Sequence, residues 1–208
     1  MVSRIEFYTN PQSRGRMARW MLEEVGADYE THILTYNGTM KEPAYLAINP
    51  MGKVPTIVHD GKVITECAAI CAYLADAFPD AGLAPPPAER AAYYRWLFFG
   101  AGPLEASVSN RALGLAVPPE RERSIGYGNF AHVMKTLDRH LSESSYIAGE
   151  AFTAADVYVG SQILWGVQFG TVEDRPSFRA YADRLSPRPA FIRANELDDD
   201  AAASGVSA

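Results

Sequence analysis

Three short segments carry residue types suited to gripping a small polar ligand. Tyr8-Thr9-Asn10-Pro11-Gln12-Ser13-Arg14 offers a phenol, an amide and a hydroxyl where an alternating strand breaks at Asn10-Pro11 and a helix begins. A hydroxyl there joins unpaired N–H groups and the positive helix end, so together they stabilise an anion; a serine in that place also serves as an ordinary N-cap. Asn49-Pro50-Met51-Gly52-Lys53-Val54-Pro55 is dense in turn formers, yet Pro55 stands at a strand entrance where it cannot donate to a ladder. A cis Val54-Pro55 bond would turn the Val54 backbone outward, ready to pair with an extended peptide, with Gly52 allowing close approach and Lys53 facing a carboxylate. Thr65-Glu66-Cys67 opens a helix whose N–H groups favour a carboxylate, while Glu66 suits an ammonium group. An α-amino acid carries both; an ordinary acidic first turn is the competing reading.

Other residues read as structure. Phe152-Thr153-Ala154-Ala155-Asp156-Val157 combines a capping box, Thr153 with Asp156, and a hydrophobic staple, Phe152 with Val157. Asp156 is therefore expected to stabilise a buried helix start. Cys67 and Cys71 lie four residues apart on one helical face, a geometry for neither a disulfide nor a CxxC redox pair. His32, His59, His132 and His140 lack metal-ligand spacing, and there is no Gly-rich phosphate loop, so neither metal nor nucleotide is expected.

The elements that must position these residues follow from periodicity. Strand Ser3–Tyr8, helix Ser13–Val25 and strand Tyr29–Leu34 form a β-α-β unit with a parallel pair. In the helix, Met17, Trp20, Met21 and Val25 face inward, and Arg16, Arg19 and Glu23 share the opposite face, with Arg19 and Glu23 spaced as an i,i+4 pair. Strands Thr56–His59 and Lys62–Ile64 flank the hairpin signal Asp60-Gly61, and helix Thr65–Ala77 ends before Pro79. Pro85-Pro86-Pro87 marks a stiff linker over residues 81–87, between domains at 1–80 and 88–208. The second domain reads as helices Ala88–Leu113, Pro119–Ser142, Thr153–Trp165 and Pro176–Leu185, a short turn near Pro189–Ala194, and an acidic tail that frays from about Leu197.

Composition bounds the partners. A chain of 208 residues with 48% hydrophobic and 21% charged residues builds a folded core. With 25 acids against 19 bases, the net charge of −6 disfavours nucleic acid and anionic membranes, and a small ligand fits better. No apolar stretch reaches the ~18 residues of a membrane span and the N-terminus lacks a leader pattern, so a cytoplasmic location is expected.

Taken in order and spacing, the Tyr8–Arg14 loop, Asn49-Pro50-x-Gly52-Lys53-Val54-Pro55, Thr65-Glu66 and Phe152-Thr153-x-x-Asp156 resemble the cytosolic glutathione S-transferases, in a bacterial-like form, over residues 4–195. The resemblance implies an α/β plus all-α protein: an N-terminal thioredoxin-like domain with a mixed four-stranded sheet, then a C-terminal helical bundle, paired as a homodimer. It implies glutathione as co-substrate. Val54 would pair with the cysteinyl unit, Pro55 would be the cis-proline, and Lys53 would face the glycyl carboxylate. Glu66 and Cys67 would hold the γ-glutamyl end; the family usually has Ser where this chain has Cys67, a change that keeps the backbone N–H and loses a strong hydroxyl donor. Ser13 is the expected thiol activator, with Tyr8 and Asn10 as alternatives, and the loop contains no cysteine. A small hydrophobic electrophile would lie against Phe99, Leu104, Trp165 and Phe169 of the helical domain. The implied activity is conjugation of the thiolate to that electrophile; the alternatives are a non-catalytic protein binding glutathione or hydrophobic ligands, and a glutathione-dependent peroxidase or disulfide reductase.

Overall fold

The computed structural model describes residues 4–205. Ser3, at the start of the first expected strand, and Val206–Ala208, at the end of the tail, lie outside the described residues. The chain forms two compact units: residues up to Leu83 together with those from Pro187, and Ala84–Ser186.

The first unit is built on four strands, β1 (Ile5–Thr9), β2 (Tyr29–Ile33), β3 (Thr56–His59) and β4 (Lys62–Thr65), in the order β2-β1-β3-β4. β1 and β2 are parallel, whereas β1 with β3 and β3 with β4 are antiparallel. The crossover between the parallel strands is α1 (Gly15–Glu24), and the Asp60-Gly61 turn has both residues at positive φ, 50° and 74°, which suits a tight hairpin. The segment after β2 holds a single 3₁₀ turn, Thr39–Lys41, and a short helix α2 (Pro43–Leu46); α3 (Cys67–Ala77) follows β4. One sheet face takes Ile5, Phe7 and Ile57, all fully buried along with Met17, Met21 and Leu22 of α1 and Ile70 and Leu74 of α3. At ~25 cal/mol per Å² of apolar surface, such burial is the main force holding the helices to the sheet.

The second unit is helical: α4 (Ala91–Phe99), a π-helical turn Gly100–Leu104 containing Pro103, α5 (Glu105–Ala112), α6 (Phe130–Glu143), α7 (Ala154–Gln168) and α8 (Pro176–Leu185). The first expected long helix is thus one helical path widened where Pro103 removes a backbone donor. The second expected helix, Pro119–Ser142, is corrected: a 3₁₀ stretch Pro119–Ser124 ends before Gly128 at φ +68°, and α6 starts afresh, capped by the Asn129 side chain accepting from the His132 N–H at 2.9 Å. Thr153 and Asp156 form the capping box of α7. Burial pushes the Asp156 carboxyl up, although its oxygens accept from Ile147 N–H (2.7 Å), Tyr181 O–H (2.8 Å), Thr153 N–H (2.8 Å) and Thr153 O–H (3.0 Å).

The C-terminal segment departs most from the sequence reading. The expected turn at Pro189–Ala194 and frayed tail form one helix, α9 (Pro189–Ala203), which belongs to the first unit and packs on α1. The 88–208 domain is corrected accordingly, its last helix contributing to the other unit. The physical cause is charge complementarity: Arg19 Nε donates to Asp198 Oδ1 at 2.9 Å with both side chains buried, Arg16 reaches Asp199 at 2.6 Å, and Arg188 grips Glu24 through two bonds of 2.6 and 2.7 Å. Arg19 is therefore not an exposed partner of Glu23, whose carboxylate accepts from the Tyr29 phenol.

Candidate functional site in the first unit

Strand register gathers the sequence-predicted residues at one sheet end. Thr56 pairs with Tyr8 on one side and Thr65 on the other, so the Val54-Pro55 entrance, the end of β1 and the start of α3 are neighbours. The Cys67 thiol adds a link between the two helix starts, lying 3.6 Å from the Arg14 carbonyl to which it donates.

The loop before β3 is held rigidly. The Lys53 carbonyl accepts from the Tyr45 phenol and from Asn49 Nδ2 (2.9 Å), Asn49 Nδ2 also donates to Thr56 Oγ1 at 3.1 Å, and Lys41 Nζ donates to the Gly52 carbonyl at 2.6 Å. Gly52 sits at φ +56°, with no room for a Cβ beside the Met40 carbonyl, 2.9 Å away. The Val54-Pro55 bond is cis. Among the described residues, neither the N–H nor the C=O of Val54 has a hydrogen-bond partner, although the side chain packs against Leu34, Met40 and Tyr45. Lys53 is exposed and makes no ion pair among the described residues. A held loop thus presents an open donor, an open acceptor and a cation.

Glu66 precedes α3 at φ +66°, an unusual setting for a residue with a side chain that costs about 1–3 kcal/mol and is met at ligand-binding sites. Ile70 N–H donates to the Glu66 carbonyl at 2.8 Å as the helical ladder begins, and the N–H groups of Ala68 and Ala69 precede it at the helix start. Burial pushes the Cys71 thiol well above the ordinary range, so it is chemically quiet, while Cys67 is half-buried at the helix start.

The first loop sorts its three candidates. Asn10 is fully buried and structural: Nδ2 donates to the Leu34 carbonyl at 2.8 Å and Oδ1 accepts from Gln12 N–H at 2.9 Å. Tyr8 donates its phenol proton to Glu6 at 2.6 Å and stacks on His32 at 4.7 Å; burial and that carboxylate push it up to about 12. Ser13 is half-buried at the start of α1, its Oγ accepting from Gly15 N–H at 2.9 Å and its proton going to the Asn10 carbonyl at 2.6 Å. Gly15 has no side chain for a steric reason, since a Cβ there would fall 1.9 Å from Thr9 Oγ1. Tyr36, which sequence reasoning passed over, reaches this loop from the segment after β2, its phenol donating to the Gln12 carbonyl at 3.0 Å. No local motif signals it, because only the fold brings residue 36 to residue 12.

The expected electrophile residues lie in the second unit. Leu104 is fully buried and belongs to that unit's core, which corrects its expected place on a ligand-facing surface. Phe99 is half-buried, edge-on to Trp96 at 5.1 Å; Trp165 is half-buried, and Phe169 is 71% exposed. Among the described residues no group of three or more His, Cys, Asp or Glu side chains gathers as a metal site.

A mixed four-stranded sheet with a cis-proline loop and two helix starts at one end defines a thioredoxin-like unit, here accompanied by a separate helical unit. Residues 13–77 match the family described as "Glutathione S-transferase, N-terminal domain". Glutathione S-transferase A of Pleuronectes platessa is 31% identical over 174 residues, covering 78% of this chain and 77% of that protein. Maleylacetoacetate isomerase of Pseudomonas aeruginosa is 29% identical over 195 residues, covering 85% and 90%. The theta class glutathione S-transferase of Xanthomonas axonopodis pv. citri, solved with glutathione bound, is 29% identical with a TM-score of 0.73, covering 91% of this chain and 96% of that one. The chain belongs to the glutathione S-transferase family. No helix among the described residues is long and apolar enough to cross a membrane.

Proposed function

We propose that the protein binds glutathione on the first unit, ionises its thiol and transfers the thiolate to small hydrophobic electrophiles, as a cytoplasmic homodimer. The observation that carries this reading is the unpartnered Val54 backbone, held between exposed Lys53 and cis Pro55. The cysteinyl unit of glutathione pairs with the Val54 N–H and C=O as a short antiparallel segment. Its glycyl carboxylate faces Lys53, and its γ-glutamyl end takes its carboxylate to the positive N-terminal end of α3 and its ammonium to Glu66. The net charge of −6 makes such local features necessary, since glutathione is itself anionic.

The chemistry needed is modest. A free thiol with a pKa of about 8.5 is only about 3% ionised at pH 7, and a downward shift of ~2 units, worth ~2.7 kcal/mol, makes most of it thiolate. One hydrogen bond to the charged sulfur, ~1.5–3 kcal/mol, and a helix end, ~0.3–1 kcal/mol, supply that shift. Ser13 is the donor in this reading, turning its proton from the Asn10 carbonyl to the sulfur at the start of α1. With no cysteine in the Tyr8–Arg14 loop, conjugation fits better than exchange through a protein mixed disulfide.

Calorimetry with glutathione, followed by conjugation to an activated aryl chloride, tests the proposal. Saturable binding and turnover that falls at least about tenfold in Ser13→Ala, for a lost charge-assisted bond, support it. Absent binding contradicts it, binding without turnover identifies a binding protein, and an unimpaired Ser13→Ala variant removes Ser13 as the activator.

A further inference from the structure

The Ser13 hydroxyl proton is committed where it stands: it is given to the Asn10 carbonyl at 2.6 Å, while the oxygen takes the Gly15 N–H at 2.9 Å. Donating to sulfur means giving up a short bond within its own loop. A second hydroxyl lies beside it with a looser commitment. Tyr36 is 44% exposed, and its phenol donates to the Gln12 carbonyl at 3.0 Å.

The fold places that phenol deliberately. Asn10 Nδ2 donates to the Leu34 carbonyl at 2.8 Å and Leu34 N–H donates to the Thr9 carbonyl at 2.8 Å, so the end of β2 is tied to the loop that carries Ser13. Beyond it, Thr35 and Thr39 exchange N–H to hydroxyl bonds of 2.9 and 3.1 Å, closing a compact turn with Tyr36 on it. Leu34 also belongs to the apolar cluster on which the Val54 side chain packs. Tyr36, Ser13 and the open Val54 backbone are thereby brought to one edge of the unit. Partial burial pushes the Tyr36 phenol up, and Ser13 and Arg14 draw it back in part, so at neutral pH it holds its proton and acts as a donor.

We infer that Tyr36 is a second hydroxyl donor to the glutathione thiolate, turning from the Gln12 carbonyl to the bound sulfur beside Ser13. The inference rests on the reading of glutathione as the ligand. The thiol proton leaves to solvent while the phenol keeps its own, so Tyr36 lowers the thiol pKa without acting as a base.

The test compares the parent protein with Tyr36→Phe, Ser13→Ala and the double variant, each saturated with glutathione. Calorimetry gives the Kd, and far-ultraviolet thiolate absorbance against pH gives the pKa of the bound thiol. Tyr36→Phe is expected to raise that pKa by about one unit, a tenfold loss of thiolate at a fixed pH below it, with Kd changed less than about twofold. The double variant is expected to exceed either single one. A Tyr36→Phe protein that folds and binds but keeps the parent's thiol pKa overturns the inference and leaves the glutathione reading intact. A variant that loses affinity at unchanged thiol pKa overturns it too, since Tyr36 then only holds the loop. A parent that binds no glutathione overturns both.

Discussion

Breaking the Arg19–Asp198 pair should cost far more than a surface ion pair. The two side chains are 4% and 0% exposed, Nε and Oδ1 are 2.9 Å apart, and the buried Asp198 Oδ2 has no hydrogen-bond partner among the described residues. Removing one member of a buried pair leaves an uncompensated charge, a loss of about 3–5 kcal/mol, against about 0–1 kcal/mol for exposed pairs. Asp198→Ala belongs near the lower figure, because Arg19 keeps Tyr29 Oη and Thr31 Oγ1 at 3.3 Å each and rests over the Phe7 and Tyr29 rings. Arg19→Ala belongs near the upper one, since it strands a fully buried carboxylate. With a urea slope of about 2 kcal/mol per molar, the unfolding midpoint of the first unit should fall by roughly 1.5–2.5 M. Replacing both, Arg19→Met with Asp198→Leu, should return the midpoint near the parent's, because both desolvation penalties vanish together. Single variants within about 1 kcal/mol of the parent, or a double variant as unstable as the two singles summed, would refute the placement of α9 on α1.

Cys67→Ser restores a strong hydroxyl donor at the start of α3 and should tighten glutathione binding about fivefold, the equivalent of one net hydrogen bond, by calorimetry. Asp156→Ala strands the Ile147 and Thr153 N–H groups and the Tyr181 hydroxyl, so the helical unit should lose about 3–5 kcal/mol in denaturant while the glutathione Kd of the folded protein stays within about twofold. The Asp138 carboxyl is lowered, first by the Ser177 hydroxyl and then by Arg175. Its contribution is therefore full above the unfolded carboxyl range and lost as pH falls through the folded value, so Asp138→Asn should flatten the decline of Tm below about pH 4.

The sheet and the loops at its end were legible because their signals are local. Asp60-Gly61 marks its own hairpin, Thr153 and Asp156 cap their own helix, and Pro55 betrays a strand entrance by the donor it lacks. The C-terminal helix was not legible for the opposite reason. The acid run Asp198-Asp199-Asp200 looks like a solvated tail until α1 presents Arg16 and Arg19, about 180 residues earlier, as its counter-charges. Tyr36 was invisible for the same cause, since its partner at Gln12 is set by the β1–β2 pairing and not by spacing. Leu104 was misplaced because apolar type alone does not distinguish core from pocket.

Titration of the parent protein saturated with glutathione bears most directly on thiol activation in the first unit. The bound thiol is expected to ionise about two units below the free value of about 8.5, so that thiolate absorbance is already near its plateau at pH 7.5. A bound thiol that ionises near 8.5 would contradict that claim.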